Sequence, residues 1–149
     1  MNYVFSFEKM RMWTDVKMYV KTVYDITKNY PHHESYGLQS QLQRAAVSVA
    51  SNIAEGLSRK TDKEQLRFVE IAYSSLIETY AQLSISKDLE YINDVQFQQI
   101  NNEIRKIYLS RNNGSPSLRS SLPHNKLCVG GNNGTLFINF QNTVVLYTL

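Results

Sequence analysis

At 149 residues the chain is long enough for one domain with a sizeable core and too short for two comfortable ones. Hydrophobic residues at 42% and charged residues at 19% are the balance of a soluble globular protein, and no apolar run approaches the roughly 20 residues that cross a bilayer. Up to Leu109, 13 Lys and Arg offset 13 Asp and Glu; Arg111, Arg119 and Lys126 carry the whole net charge of +3, which excludes a globally basic surface and confines any nucleic-acid contact to a local patch.

The segment Met1 to Lys9 lacks a basic stretch followed by an apolar one and a small-residue cleavage site. A lone cysteine, Cys128, excludes an intrachain disulfide and a zinc site built from several cysteines. The expectation is a cytoplasmic protein with no membrane association.

The first periodic stretch is Trp13, Val16, Val20, Val23, Thr27 and Tyr30, in steps of three and four, closed by Pro31. It predicts a helix from about Trp13 to Asn29. The second, from about Glu34, carries two stripes at once. Leu42, Ala45, Val49 and Ile53 are apolar; Gln41, Arg44, Ser48, Asn52 and Glu55 are polar and equally regular, and alanines at 45, 46, 50 and 54 surround both. Small side chains let a neighbouring helix approach closely. The polar stripe reads as a network at an oligomer interface or facing a ligand, against the plainer alternative that Gln41, Arg44 and Glu55 face water. Gly56 stands where a helix cap would.

Four cations, Arg59, Lys60, Lys63 and Arg67, gather at the connection to the third helix and form the candidate nucleic-acid patch. Asp62 and Glu64 interleave with them, and a charge run is usually a solvated face. Thr61 and Glu64 make a capping box that starts the third helix. Its apolar seam is Leu66, Val69, Tyr73, Leu76, Tyr80, Leu83 and Lys87, a heptad rhythm that predicts nearly antiparallel packing. Asn93 with Gln96 caps the fourth helix, stapled by Ile92 and Phe97 and continued by Ile100, Ile104 and Ile107. Short connections then require an all-α, antiparallel up-and-down four-helix bundle over residues 1–110.

Beyond that point the pattern fails. Residues 111–149 are expected to form an irregular tail, rich in Gly, Asn, Ser and Pro up to 134 and without any Asp or Glu. The uncharged, β-prone ending Thr135 to Leu149 could fold into a hairpin around Asn139 to Asn142, but a lone hairpin is marginal in water, which argues for disorder or loose docking.

Reaction chemistry is not evident. His32 and His33 adjoin one another after Pro31 and, with Glu34, offer no fixed two-ligand metal geometry. Glu70 and Glu78 are not followed by the histidines of a di-iron bundle, and neither a phosphate loop nor a nucleophile elbow is present. No cofactor and no metal is assigned, a small-ligand or metal-binding bundle remaining the alternative to a non-enzymatic scaffold.

The run from Tyr36 to Gly56, with Phe7, Trp13, Arg67, Phe68 and the stretch from Ala72 to Leu89, resembles the bacterial four-helix-bundle family also called S23 or intervening-sequence proteins, after reading frames inside some bacterial 23S ribosomal RNA genes. The resemblance covers about Phe7 to Ile107. It implies a non-enzymatic bundle that assembles as a ring-shaped homopentamer; a more distant relative, the accessory protein of diversity-generating retroelements, binds nucleic acid and a reverse transcriptase. RNA or DNA and further copies of the chain are thus the implied partners. The family usually continues its fourth helix for several turns, whereas this chain turns to a glycine-rich tail near Tyr108, as a reading-frame shift there would produce.

Overall fold

A computed structural model describes residues 5–112, 136–140 and 143–147. Two compact units divide at Gly114. The first is the helical bundle: α1 (Arg11–Thr27), α2 (Leu38–Ser58), α3 (Asp62–Asp88) and α4 (Asp94–Asn112), with short 3-10 turns at Ser6–Lys9 and His32–Glu34. The second contains one antiparallel pair, β1 (Leu136–Phe140) with β2 (Thr143–Tyr147), in the register Ile138 opposite Val145. Within the tail, for which a hairpin around Asn139 to Asn142 was one expectation, the described residues 136–140 and 143–147 pair through their β-branched and aromatic side chains. The glycine-rich stretch lies outside the described residues.

Helix ends follow local chemistry closely. α1 stops at Thr27, whose hydroxyl donates back to the Val23 carbonyl at 2.9 Å. α2 starts at Leu38 rather than near Glu34, because the Glu34 carboxylate accepts from the Leu38 N–H at 2.8 Å and caps it from outside. A Cβ on Gly37 would stand 2.5 Å from that capping oxygen, so glycine there leaves room for the cap. Thr61 accepts the Glu64 N–H at 3.3 Å while donating to the Glu64 carboxylate at 2.8 Å. Asn93 and Gln96 exchange bonds of 2.9 and 3.0 Å, a complete reciprocal box. α3 ends on Glu90 at φ 58°, a left-handed residue that lets the Tyr91 N–H reach the Ser86 carbonyl at 2.9 Å. α4 runs to Asn112, a turn beyond the expected break.

The core is a single cluster. Val16, Tyr19, Val23 and Ile26 of α1 meet Leu42, Val49 and Ile53 of α2, Leu76 and Leu83 of α3, and Phe97, Ile100, Ile104 and Ile107 of α4. Each such side chain, taken from water, contributes about 1.5–3 kcal/mol. α3 departs from its expected seam. Leu76 and Leu83 are buried, but Leu66, Val69, Tyr73 and Tyr80 are half-buried, and Lys87 pairs with Asp94 at 2.8 Å. The buried strip instead includes Ser75, Thr79, Gln82 and Ser86. Their hydroxyls are satisfied within the helix, Ser75 on the Ile71 carbonyl (3.2 Å), Thr79 on that of Ser75 (2.9 Å) and Ser86 on that of Gln82 (2.8 Å). A serine so bonded occupies an interface at little desolvation cost.

Candidate functional site

α2 and α3 form the most extensively packed pair of the bundle. Ser48 Oγ lies 2.9 Å from Ser75 Oγ, and Gly56 sits where a Cβ would meet Phe68 Cβ at 3.1 Å and the Gln65 carbonyl at 3.3 Å. These two contacts fix an antiparallel register. Gly56 is thus a packing residue inside the helix rather than the expected cap, and its missing side chain is what admits α3.

The five-residue polar stripe on α2 divides along this seam. Ser48 and Asn52 are half-buried: Ser48 meets Ser75 across the seam, and Asn52 Nδ2 donates to the Ser48 carbonyl at 2.8 Å and to its hydroxyl at 3.2 Å on the same helix. Gln41 and Arg44 are exposed, and Glu55, also exposed, pairs with Arg59 one turn on. On α3 the exposed residues Ile71, Glu78 and Ile85, seven apart, run beside the buried serine strip. By the register at Ser48 and Ser75, Arg44 and Gln41 lie along the same outer flank.

The four expected cations also divide. Arg59 is held by Glu55 and lies over the Phe68 ring at 4.9 Å. Lys60, Lys63 and Arg67 are exposed, and among the described residues none of the three makes an ion pair. Their surroundings come from the up-and-down connectivity. An apolar pocket lined by Met12, Ile53, Val69, Ala72, Ile107 and Tyr108 brings the start of α1, the end of α2, the start of α3 and the end of α4 to one end of the bundle. That end is the basic one. Residues 5–17, 55–70 and 103–109 hold nine Lys and Arg against seven Asp and Glu, whereas 18–54 and 71–102 hold four against six.

Aromatic rings gather at the same end. Phe5 stacks on Phe7 (centroids 5.8 Å apart, planes at 21°), and Phe7 meets Trp13 edge-on at 5.1 Å. The turn Ser6–Lys9 that carries them packs on both α1 and α2. At the opposite end, Glu34 is committed to Leu38 and accepts from the Tyr91 hydroxyl at 3.3 Å, with His33 Nε2 3.4 Å from that hydroxyl. Among the described residues no group of three His, Cys, Asp or Glu side chains is placed to hold a metal ion, and no helix is long and apolar enough to cross a membrane.

The model of the 23S rRNA-intervening sequence protein family matches residues 8–111. The chain belongs to that family. A crystal structure from Bacteroides thetaiotaomicron, described as a protein with unknown function from the S23 ribosomal protein family, is similar at 20% identity with a TM-score of 0.60, over 66% of this chain and 93% of that one. At that identity it shows the fold. No curated protein matches.

Within this intervening-sequence protein, two features of the site are absent from the sequence reading. Ser75 looks like any polar surface residue until Ser48 is placed opposite it. The rings of Phe5, Phe7 and Trp13 are close in sequence, a signal that was present, yet only the 3-10 turn brings them together.

Proposed function

We propose that this intervening-sequence protein is a non-enzymatic, cytoplasmic homo-oligomeric scaffold, a pentamer as the family resemblance implies, that holds RNA at the basic end of each bundle. The observation that carries the reading is the trio Lys60, Lys63 and Arg67, exposed and without ion pairs among the described residues, at the end where the positive charge gathers. The family description, 23S rRNA-intervening sequence protein, supports RNA as the polyanion. Symmetry would repeat the trio in every subunit and multiply weak phosphate contacts.

The assembly surface in this reading is the outer flank of α2 and α3. Ile71 and Ile85 are 39% and 50% exposed there, beside Arg44 and Glu78. Apolar side chains with one Arg among them are the makings of an interface centre. Of the expected interface stripe, Gln41 and Arg44 remain available to a second copy, and Glu55 remains at the margin, bound to Arg59. Ser48 joins α2 to α3 through Ser75, and Asn52 braces Ser48 from its own helix.

The test joins the two parts. Native mass spectrometry of the protein with a 23S rRNA fragment reports subunit number and bound RNA together. Arg44→Ala should lower the oligomer mass, and Lys63→Glu should weaken RNA binding and flatten its dependence on salt. An unchanged mass for the first variant, or RNA binding indifferent to salt, would overturn the corresponding half.

A further inference from the structure

We infer, building on the oligomeric half of the proposed function, that copies of the chain recognise one another through an ion pair, Arg44 of one subunit with Glu78 of the partner subunit, set in an otherwise uncharged band. The stretch 38–54 of α2 holds one charged residue, Arg44, and the stretch 71–86 of α3 holds one, Glu78. α1, 17 residues long like the first stretch, holds five: Arg11, Asp15, Lys17, Lys21 and Asp25. A helix face made to meet water is charged as α1 is. The two stretches instead leave Val47, Ile71, Ile77 and Ile85 between 39% and 50% exposed, apolar surface of the kind that a second protein surface covers.

The two charges stand side by side within a subunit yet do not meet. Ser48 opposite Ser75 sets the antiparallel register, so Arg44, four residues before the one, and Glu78, three after the other, fall at the same level of the outer flank. Both are exposed, and among the described residues neither makes an ion pair. The Glu78 carboxylate accepts from Gln82 Nε2 at 3.0 Å along its own helix. Covering the isoleucines with a purely apolar surface would strip water from an arginine and a glutamate with nothing in exchange, which is costly. A surface bearing one charge of each sign supplies the exchange, and this flank is such a surface: it is complementary to itself. The occupant is therefore a second copy of the chain. Beside the buried isoleucines the pair adds little affinity; it selects the register, because a slipped copy leaves both charges unpaired.

Native mass spectrometry of the full chain over a dilution series tests the pair, with Arg44→Glu and Glu78→Arg made singly and together. Each single reversal sets like charges at the contact and should raise the concentration of half-dissociation by about tenfold or more. The two single variants mixed in equal amounts should form assemblies of mixed mass, because opposite signs then meet between subunits although each subunit carries like signs. The double variant should regain the parent mass. Both positions are exposed, so circular dichroism melts should match the parent's at dilutions where every form is dissociated. Unchanged dissociation in either single variant would overturn the pair and leave the oligomeric reading standing. A double variant that recovers while the mixture does not would overturn it as well, since the pair then lies within one subunit, and so would failure of both to recover. A parent chain that stays single at every concentration would overturn the oligomer and the pair together.

Discussion

Along the seam between α2 and α3 the facing residues are Ser48 and Gly56 against Ser75, the Phe68 stem and the Gln65 backbone; between α1 and α4 they include Val16, Val23 and Ile26 with Ile100, Ile104 and Ile107 and, among the described residues, one polar contact, Thr22 to Glu103 at 3.0 Å. The first seam gains stability by letting backbones approach and by satisfying hydroxyls inside each helix. The second gains it by volume. Interiors are packed densely enough that one seam should resent added atoms and the other should resent lost or charged ones.

The largest break comes from the apolar side. Leu76, 2% exposed, is on the face of α3 that lines the pocket shared by all four helices. Leu76→Asp would bury a carboxylate with no cation opposite it and leave a void besides. A cost above about 4 kcal/mol is expected, a large part of the 5–15 kcal/mol that a domain of this size possesses. Circular dichroism should show loss of the cooperative helical melt. A melt like that of the parent would mean that this side of α3 is not the core.

Gly56→Leu tests the opposite seam. Its first carbon already falls at 3.1 Å from Phe68 Cβ and 3.3 Å from a backbone oxygen, neither of which is the free end of a side chain. Added volume at such a point costs about 1–3 kcal/mol. A lower urea midpoint with retained helicity is expected. Were Gly56 a cap instead, the position would tolerate Asn, so Gly56→Asn separates the two roles: packing predicts a loss, capping near neutrality.

Much of this contrast was legible in the chain, and the parts that were not share a cause. The capping boxes at Thr61 with Glu64 and at Asn93 with Gln96 are written within four residues, and both form as read. Leu76 and Leu83 lie at the apolar positions that periodicity assigns them. Ser75, Thr79 and Ser86 were invisible as core residues, because a hydroxyl reads as polar until its hydrogen is returned to the carbonyl four residues back. Gly56 was misread for a related reason: what its hydrogen makes room for arrives from another helix. In the candidate site, Arg59 was grouped with its sequence neighbours although Glu55, four residues earlier on the same face, was the stronger partner. The polar stripe on α2 was seen as one surface, yet Ser48 meets a serine on α3 that no local pattern announces, and Asn52 bonds back to Ser48.

The smallest effect sharpens the volume-filled seam by a charged member, Glu103. Glu103 Oε1 accepts from Thr22, while Oε2 is buried with no hydrogen-bond partner among the described residues. Burial is the main influence on this carboxyl and raises its pKa above the ordinary glutamate range, with the Thr22 bond and the Lys106 charge acting in the opposite direction. The nearby phenol of Tyr19 is pushed upward by its own burial and, to a lesser degree, by the Glu103 charge, the Thr79 hydroxyl opposing. A carboxyl that holds its proton more tightly folded than unfolded stabilises the fold fully below the unfolded pKa, about 4.3, and loses that contribution as pH rises through the folded value. Glu103→Gln carries no charge at any pH and keeps an acceptor for Thr22. It should therefore raise Tm at pH 7, by less than about 4 °C since the group is only partly buried, and the gain should shrink toward zero as the pH is lowered below 4.3. A variant less stable than the parent at pH 7, or a gain that grows in acid, would mean that the charged carboxylate is favoured in this seam and that the α1 and α4 contact draws on electrostatics as well as volume.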